Sequence, residues 1–318
     1  MAVDKPRVAV VGAGAMGGLF GGLLAEGGLS VTLVDIWADH VAAIHAAGGI
    51  RIVGVGGDRV IPLAATCVAS EVRQADVVLF QCKAFANEAA AASVRHLFGG
   101  GTAAISFQNG LGNEEVLEGV LGAGTVIGGL TAQAGLVEAP GVVRNYGELP
   151  THVGELGGGM SGRATAIAAA FSAHGLRTIA TPDIKREKWK KLLGNVALGA
   201  ISAVTDFRSF EIMRTEDMRQ IVFRLVDEAA TVAKAEGVVL DVEEARSVLM
   251  RLVDTAGGGT GTAKSSMRED VIRRRRTEID TIHGSVQRLA RRHAIATPTL
   301  DCVIALVRAL QFDYLGQA

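Results

Sequence analysis

The amino-acid sequence predicts an α/β chain: an N-terminal doubly wound parallel sheet followed by an all-α C-terminal domain. Three observations carry this. Short apolar, largely β-branched runs such as Val8–Val11 recur through the first half and end in glycine or polar turn residues, the mark of strands buried on both faces. A glycine-patterned apolar segment follows the first run, as a tight strand-to-helix turn requires. From about Lys185 onward, strand signals give way to long segments with helical apolar spacing. The 318 residues are about twice a common domain length. Two domains are expected, over residues 1–184 and 185–318.

The first element is Val8–Val11, read as a buried strand. Gly12, Gly14 and Gly17 follow it in GxGxxG spacing, with Ala15 and Met16 between. Gly12 permits the turn out of the strand. Gly14 lets the backbone approach a pyrophosphate at the positive N-terminus of the next helix. Gly17 lets that helix lie close to the sheet, and Gly18, Gly21 and Gly22 extend its thin face. Gly27-Gly28 ends the helix, and Ser30–Asp35 supplies a second strand. Asp35 closes that strand 23 residues after Gly12, where an acid accepts hydrogen bonds from a ribose diol. The unit therefore reads as Rossmann-like, binding a dinucleotide through Gly12, Gly14, Ala15, Met16, Gly17 and Asp35. A carboxylate repels a ribose 2′-phosphate, and Ile36 brings no positive charge, so Asp35 favours NAD over NADP. Lys83 could offset that preference.

Further strands are expected at Ala75–Cys82, Thr102–Gln108 and Thr125–Thr131. Ligands bind outside the carboxyl ends of strands in an open parallel sheet. The Gly12 loop, Asp35, Lys83 and Asn109 are accordingly expected to line one crevice. Residues 138–155 read as short strands with turns, 161–174 as a helix and 176–182 as the last strand. Beyond Lys185, helices are expected over 186–203, 206–237 and 242–256, a loop over Gly257–Gly261, helix again from Ser265, and a last helix over 300–314 after Pro298.

Composition removes several functions. A net charge of −1 argues against a general nucleic-acid binder, and Arg273–Arg276 reads as the solvated face of one helix. Cys67, Cys82 and Cys302 are far apart, and the seven histidines never fall in metal-ligand spacing, so neither a metal nor a disulfide framework is expected. Reduced thiols suit a cytoplasmic protein. Lys5 and Arg7 before an apolar stretch could mimic a secretion leader, but the glycine spacing and Glu26 argue against one. No later stretch is long and apolar enough to span a membrane.

In the helical part, Trp189, Leu192, Leu193, Val196, Ala197 and Ala200 form one apolar stripe. Lys191 and Asn195 are four residues apart on the other face; spacing alone leaves Lys191 free to be a solvated lysine. Ser265 or Ser266 could cap a helix, and Glu278 lies near Ile279 and Ile282. At this point the chain resembles the ketopantoate (2-dehydropantoate 2-) reductases over nearly its whole length. The resemblance rests on "GAGAMG" from Gly12, "CKAF" from Cys82, "QNGLG" from Gln108, "KWKKLLGN" from Lys188 and "SSMREDVIRRRRTEID" from Ser265.

The resemblance implies a pantothenate-biosynthesis-type reductase, with NADP or NAD and a small 2-oxo acid held between two domains. It implies that Lys191 is catalytic and hydrogen-bonds the keto oxygen, and that Glu278 works with it. Asn109 and Asn195 would position substrate or cofactor, Ser266 would hold the substrate carboxylate, and Lys83 would lie on the cofactor side. Hydride delivery builds negative charge on a ketone oxygen, which an ammonium stabilises and protonates. The chain departs from the family pattern twice: Gly199 replaces an asparagine eight residues after the lysine, and His283 precedes Gly284 where the family has asparagine. A 2-hydroxyacid dehydrogenase of another substrate, a β-hydroxyacid dehydrogenase and a non-catalytic nicotinamide-redox sensor are the alternatives. Monomer and homodimer are both open.

Overall fold

The structure is a computed structural model that describes residues 4–253 and 265–316. It divides into two compact units: Met1–Gln108 with Gly112–Lys185, and Asn109–Leu111 with Arg186–Ala318.

The first unit runs β1 (Val8–Val11), α1 (Ala15–Glu26), β2 (Val31–Val34), α2 (Ala38–Ala46), β3 (Ile50–Gly54), β4 (Arg59–Ile61), β5 (Ala64–Thr66), β6 (Val77–Phe80), α3 (Asn87–Val94), β7 (Ala103–Ser106), α4 (Asn113–Leu121), β8 (Val126–Thr131), β9 (Gly135–Ala139), β10 (Val142–Asn145), β11 (Thr151–Gly154), α5 (Gly162–Ala173) and β12 (Thr178–Ala180). Eight strands make one sheet in the order β12-β11-β8-β7-β6-β1-β2-β5. Every neighbouring pair is parallel except β8 with β11. Alternation along β1 shows why its residues are all apolar. Val8 and Val10 join a core with α1 and α5, whereas Ala9 and Val11 join the opposite core with α3 and α4. Both faces are covered, so the strand needs no polar position.

In this sheet, β1, β2, β6, β7, β8 and β12 stand where the sequence predicts strands, whereas β5 was not expected. A second sheet, β4-β3-β10-β9, whose central pair β3–β10 is parallel, is not marked in the sequence. That sheet explains the glycine content of α1. A Cβ at Gly21 would stand 2.5 Å from Leu33 Cδ2 on the large sheet. At Gly18 and Gly22 it would stand 2.7 Å from the Cδ1 atoms of Ile50 and Ile52 on the small one. The helix is pressed between two sheets, and residues 17–24 are all buried. One thin face against one sheet, as the spacing alone suggests, is half of the arrangement.

The second unit is helical: α6 (Ile184–Thr205, whose first two residues cluster with the first unit), α7 (Ser209–Arg214), α8 (Glu216–Ala235), α9 (Val242–Val253), α10 (Ser266–Ile272), α11 (Ile279–Arg292) and α12 (Pro298–Leu315). The stripe of α6 lies in its core, with Trp189 only 1% exposed, against Leu225 and Val226 of α8, Val286 of α11 and Ile304 of α12. The single helix expected over 206–237 is two. Asp206 takes a left-handed φ of 61°, and Thr215 is extended between α7 and α8. The arginine run also differs from expectation. Arg273 ends α10, Arg274 turns at φ 51°, and Arg275 reaches back to Asp270 at 2.8 Å. It forms the exposed turn between two helices rather than one helix face. Pro298 occupies the first turn of α12, where its missing N–H costs nothing. The end of the helix expected over 242–256 and the Gly257–Gly261 loop lie outside the described residues. No described helix is long and apolar enough to cross a membrane.

Candidate functional site

In the first unit, adjacent parallel strands β2, β1 and β6 bring Asp35, the glycine loop and Lys83 to the same edge of the sheet. Gly12 has φ +95°, and a Cβ there would lie 2.3 Å from the backbone nitrogen of Cys82. Only glycine can turn the chain against β6 at that point. A Cβ at Gly17 would lie 1.8 Å from the carbonyl oxygen of Gly12, so α1 starts in contact with its own approach loop. A Cβ at Gly14 meets no described atom within 4 Å. Gly14 also precedes α1 without a side-chain cap. The loop therefore presents open space at a helix N-terminus, the surroundings a pyrophosphate requires.

The Asp35 carboxylate accepts from the backbone N–H of Ala13 at 2.5 Å and of Trp37 at 2.9 Å. It is thus tied directly to the glycine loop. The next residue, Ile36, is 96% exposed, an apolar side chain beside the open loop. Lys83 is half-buried at the start of a short turn after β6. A polar network missed at the sequence level fixes these strand ends. Gln108 Nε2 donates to the Cys82 carbonyl at 2.6 Å and to Asn87 Oδ1 at 2.7 Å, and Asn87 Nδ2 donates to Asn113 Oδ1 at 3.0 Å. Gln108, Asn87 and Asn113 are all buried. Their signal lay in plain view as amides: Gln108 opens the "QNGLG" stretch, Asn113 follows it, and Asn87 lies just beyond "CKAF".

Asn109 clusters with the helical unit. The reason is Gly110, at φ +89°, where a Cβ would stand 2.4 Å from the carbonyl oxygen of Thr281 on α11. That close packing delivers the Asn109 side chain to Lys191, whose Nζ donates to Asn109 Oδ1 at 2.7 Å.

Lys191 opens onto a cavity of about 530 Å³ lined also by Asn109, Asn195, Ser265 and Ser266, with Leu198, Leu240, Leu249, Met267 and Ile282 among the apolar walls. Burial pushes its pKa down to about 8, Lys188 adds to the fall, and Glu278 opposes it. The opposition locates Glu278 electrically: it is half-buried at the N-terminus of α11, close enough to favour the charged lysine. Ser265, not Ser266, caps α10, accepting from the Arg268 N–H at 3.1 Å. The Ser266 hydroxyl remains exposed on the cavity lining. Arg268, nearly buried, holds α10 in place by donating to Asp206 Oδ1 at 2.5 Å. Sequence reasoning missed this pair, since the partners are 62 residues apart.

The geometry thus offers an ammonium of lowered pKa, two amides and serine hydroxyls in a chamber whose walls are part apolar and part charged, the charges being Lys190, Asp241 and Glu244. That set can receive a small anion with a polarisable oxygen. Among the described residues, no cluster of His, Cys, Asp and Glu could hold a metal ion.

The chain is similar to known proteins over nearly its whole length. Residues 8–158 match the family described as ketopantoate reductase PanE/ApbA, and residues 183–311 match its C-terminal part. A 2-dehydropantoate 2-reductase of Halobacterium salinarum is 35% identical over 311 residues, covering 96% of this chain and 99% of that protein. A D-mandelate dehydrogenase, solved with NADH and anilino(oxo)acetate, superposes with a TM-score of 0.90 at 27% identity, covering 97% and 99% of the two chains. A PanE/ApbA family ketopantoate reductase from Ralstonia eutropha JMP134 gives 0.88 at 28% identity, with the same coverage.

Proposed function

This chain belongs to the ketopantoate reductase PanE/ApbA family, and from that premise we propose that it reduces a 2-oxo acid to the 2-hydroxy acid, with Lys191 as proton donor. As a member it is an oxidoreductase acting on CH–OH groups with a nicotinamide coenzyme. The observation that carries the finer reading is the Lys191 ammonium in its cavity, anchored by Asn109 at 2.7 Å and with its pKa lowered to about 8.

Bound nicotinamide supplies the hydride. The chain supplies the rest. Gly12, Gly14, Ala15, Met16 and Gly17 would cradle the pyrophosphate, with Lys83 on the same edge of the sheet. Asp35, held by the Ala13 and Trp37 amides, would accept from a ribose diol, and its charge supports NAD over NADP. Ser266 would hold the substrate carboxylate, while Asn195 and Asn109 would orient the oxo group. As charge builds on the keto oxygen, Lys191 Nζ would give it a proton and become a neutral amine. A donor with a pKa near ambient pH is suited to this and regains its proton from water readily. Glu278 would hold the resting lysine in its charged form. One proton is taken up for each oxo acid reduced.

Replacing Lys191 with alanine should lower kcat by about 100-fold or more, in the range of a positioned acid, with the unfolding midpoint retained. The assay follows NADH or NADPH absorbance with a panel of 2-oxo acids. Unchanged steady-state rates would remove Lys191 from the mechanism.

A further inference from the structure

Two glycines, Gly194 and Gly199, interrupt α6 on the wall of the Lys191 cavity. Glycine is a poor residue for a helix interior, so each asks for a reason. Packing does not give one. A Cβ at Gly194 meets no described atom within 4 Å, leaving aside the helix's own neighbouring backbone. At Gly199 it meets only the Cε1 atom of His283, at an ordinary 3.7 Å. The contrast with Gly18 and Gly22, where the same atom would collide at 2.7 Å, is plain. What glycine provides on α6 is room inside the cavity.

The room lies along a line. Lys191, Gly194, Asn195, Leu198 and Gly199 follow i, i+3, i+4, i+7 and i+8 spacing, one face of a helix. At a rise of 1.5 Å per residue, Gly199 is about 12 Å along the axis from Lys191. An acid of three carbons whose oxo group sits at Lys191 leaves that length unfilled. Leu198, Leu240, Leu249 and Ile282 supply the apolar part of the walls. Asp241 and Glu244 also line the cavity and would repel a second carboxylate, while Lys190 is paired with Glu187 at 3.2 Å. Behind Gly199 stands the ring of His283, fully buried, with Nε2 against the Val196 carbonyl at 3.1 Å. Burial drives its pKa to about 4, so the ring packed behind Gly199 is neutral at ordinary pH.

We infer that Gly199, with Gly194, sets substrate size: the 2-oxo acid carries an uncharged, aryl-sized apolar group that runs along α6 past Asn195 and ends at Gly199 in front of His283. This rests on the 2-oxo-acid reading above. Gly199 lines the chamber, and His283 backs it at 3.7 Å from where a Cβ would stand.

The experiment measures kcat/KM for phenylglyoxylate, 3-methyl-2-oxobutanoate, pyruvate and 2-oxoglutarate in the wild type, Gly199→Ala and Gly199→Leu. The wild type should prefer phenylglyoxylate to pyruvate by about tenfold or more, and Gly199→Leu should cut that ratio at least tenfold, Gly199→Ala less. An unaltered ratio in both variants overturns the inference, as does 2-oxoglutarate reduced as well as phenylglyoxylate. Calorimetric titration with phenylglyoxylate, oxidised coenzyme present, separates the two readings. Saturable binding that Gly199→Leu abolishes supports the size reading even without turnover of any acid, which would sink the reductase reading alone. Neither binding nor turnover overturns both.

Discussion

Lys191 shows how one half-buried cation fixes the sign of a pH profile. Its pKa near 8 means that the proton-donating form is full below that pH and disappears above it. The rate of oxo-acid reduction, as kcat/KM, should be flat towards neutrality and fall about tenfold per pH unit above about 8. Glu278 holds the value up, so Glu278→Gln should move the falling limb to lower pH. A limb that does not move would separate Glu278 from the lysine. At this scale the sequence was partly readable. Four-residue spacing put Lys191 and Asn195 on one face, and both line the cavity. The role of Gly110 in aiming Asn109 was not readable, because its cause is a contact with Thr281 far along the chain. Nor did the sequence relate Gly199 to His283, 84 residues on, for adjacency across two helices leaves no local trace.

Helix α1 was the most readable element and also the one most underestimated. Its glycines are sufficient to announce a phosphate-binding turn, yet half of them answer to a sheet that the sequence hid. In that sheet β4 has three residues, too short for alternation to register, as has β5 at the edge of the large sheet, and β3 finds its parallel partner β10 about ninety residues later. The break between α7 and α8 was readable after all: Thr215 followed by Glu216 and Asp217 is a helix-start signal inside the long periodic segment. Two substitutions test how the turn is built. Gly17→Ala puts a methyl 1.8 Å from the Gly12 carbonyl oxygen, so the loop must move. A loss of about 1–3 kcal/mol in unfolding free energy is expected, the cost of overpacking, together with at least tenfold weaker NADH binding. Gly14→Ala meets no described atom; its urea midpoint should match the wild type while NADH binding still weakens. Equal binding by Gly14→Ala and wild type would move the pyrophosphate elsewhere.

At the scale of the whole molecule, the change in texture near Lys185 was legible because a parallel sheet and a helical bundle bury apolar residues with different periods. Residues 109–111 cluster with the helical unit, since clustering in space does not follow chain order. Each unit has its own core: two, one on either face of the large sheet, and a third in the helical unit. A coenzyme that binds only the folded chain raises its stability by mass action. NADH at about 100 times its Kd should add about 2.7 kcal/mol to unfolding. Asp35→Ala should shrink the NADH gain relative to that from NADPH at the same concentrations. Thermal scans with each coenzyme check this, and identical gains in both proteins would detach Asp35 from the ribose.

The double-sided burial of α1 has one more outcome, for motion. A rod clamped above and below by β-structure has no free side on which to tilt, so it cannot serve as a lever. Where this rod meets the coenzyme, adjustment on loading should fall on the few atoms of the Gly12–Gly14 bend and on nearby side chains. Crystals grown empty and full should therefore overlay along this rod to within ordinary coordinate error, and amide protons there should be among the slowest in the molecule to exchange with heavy water.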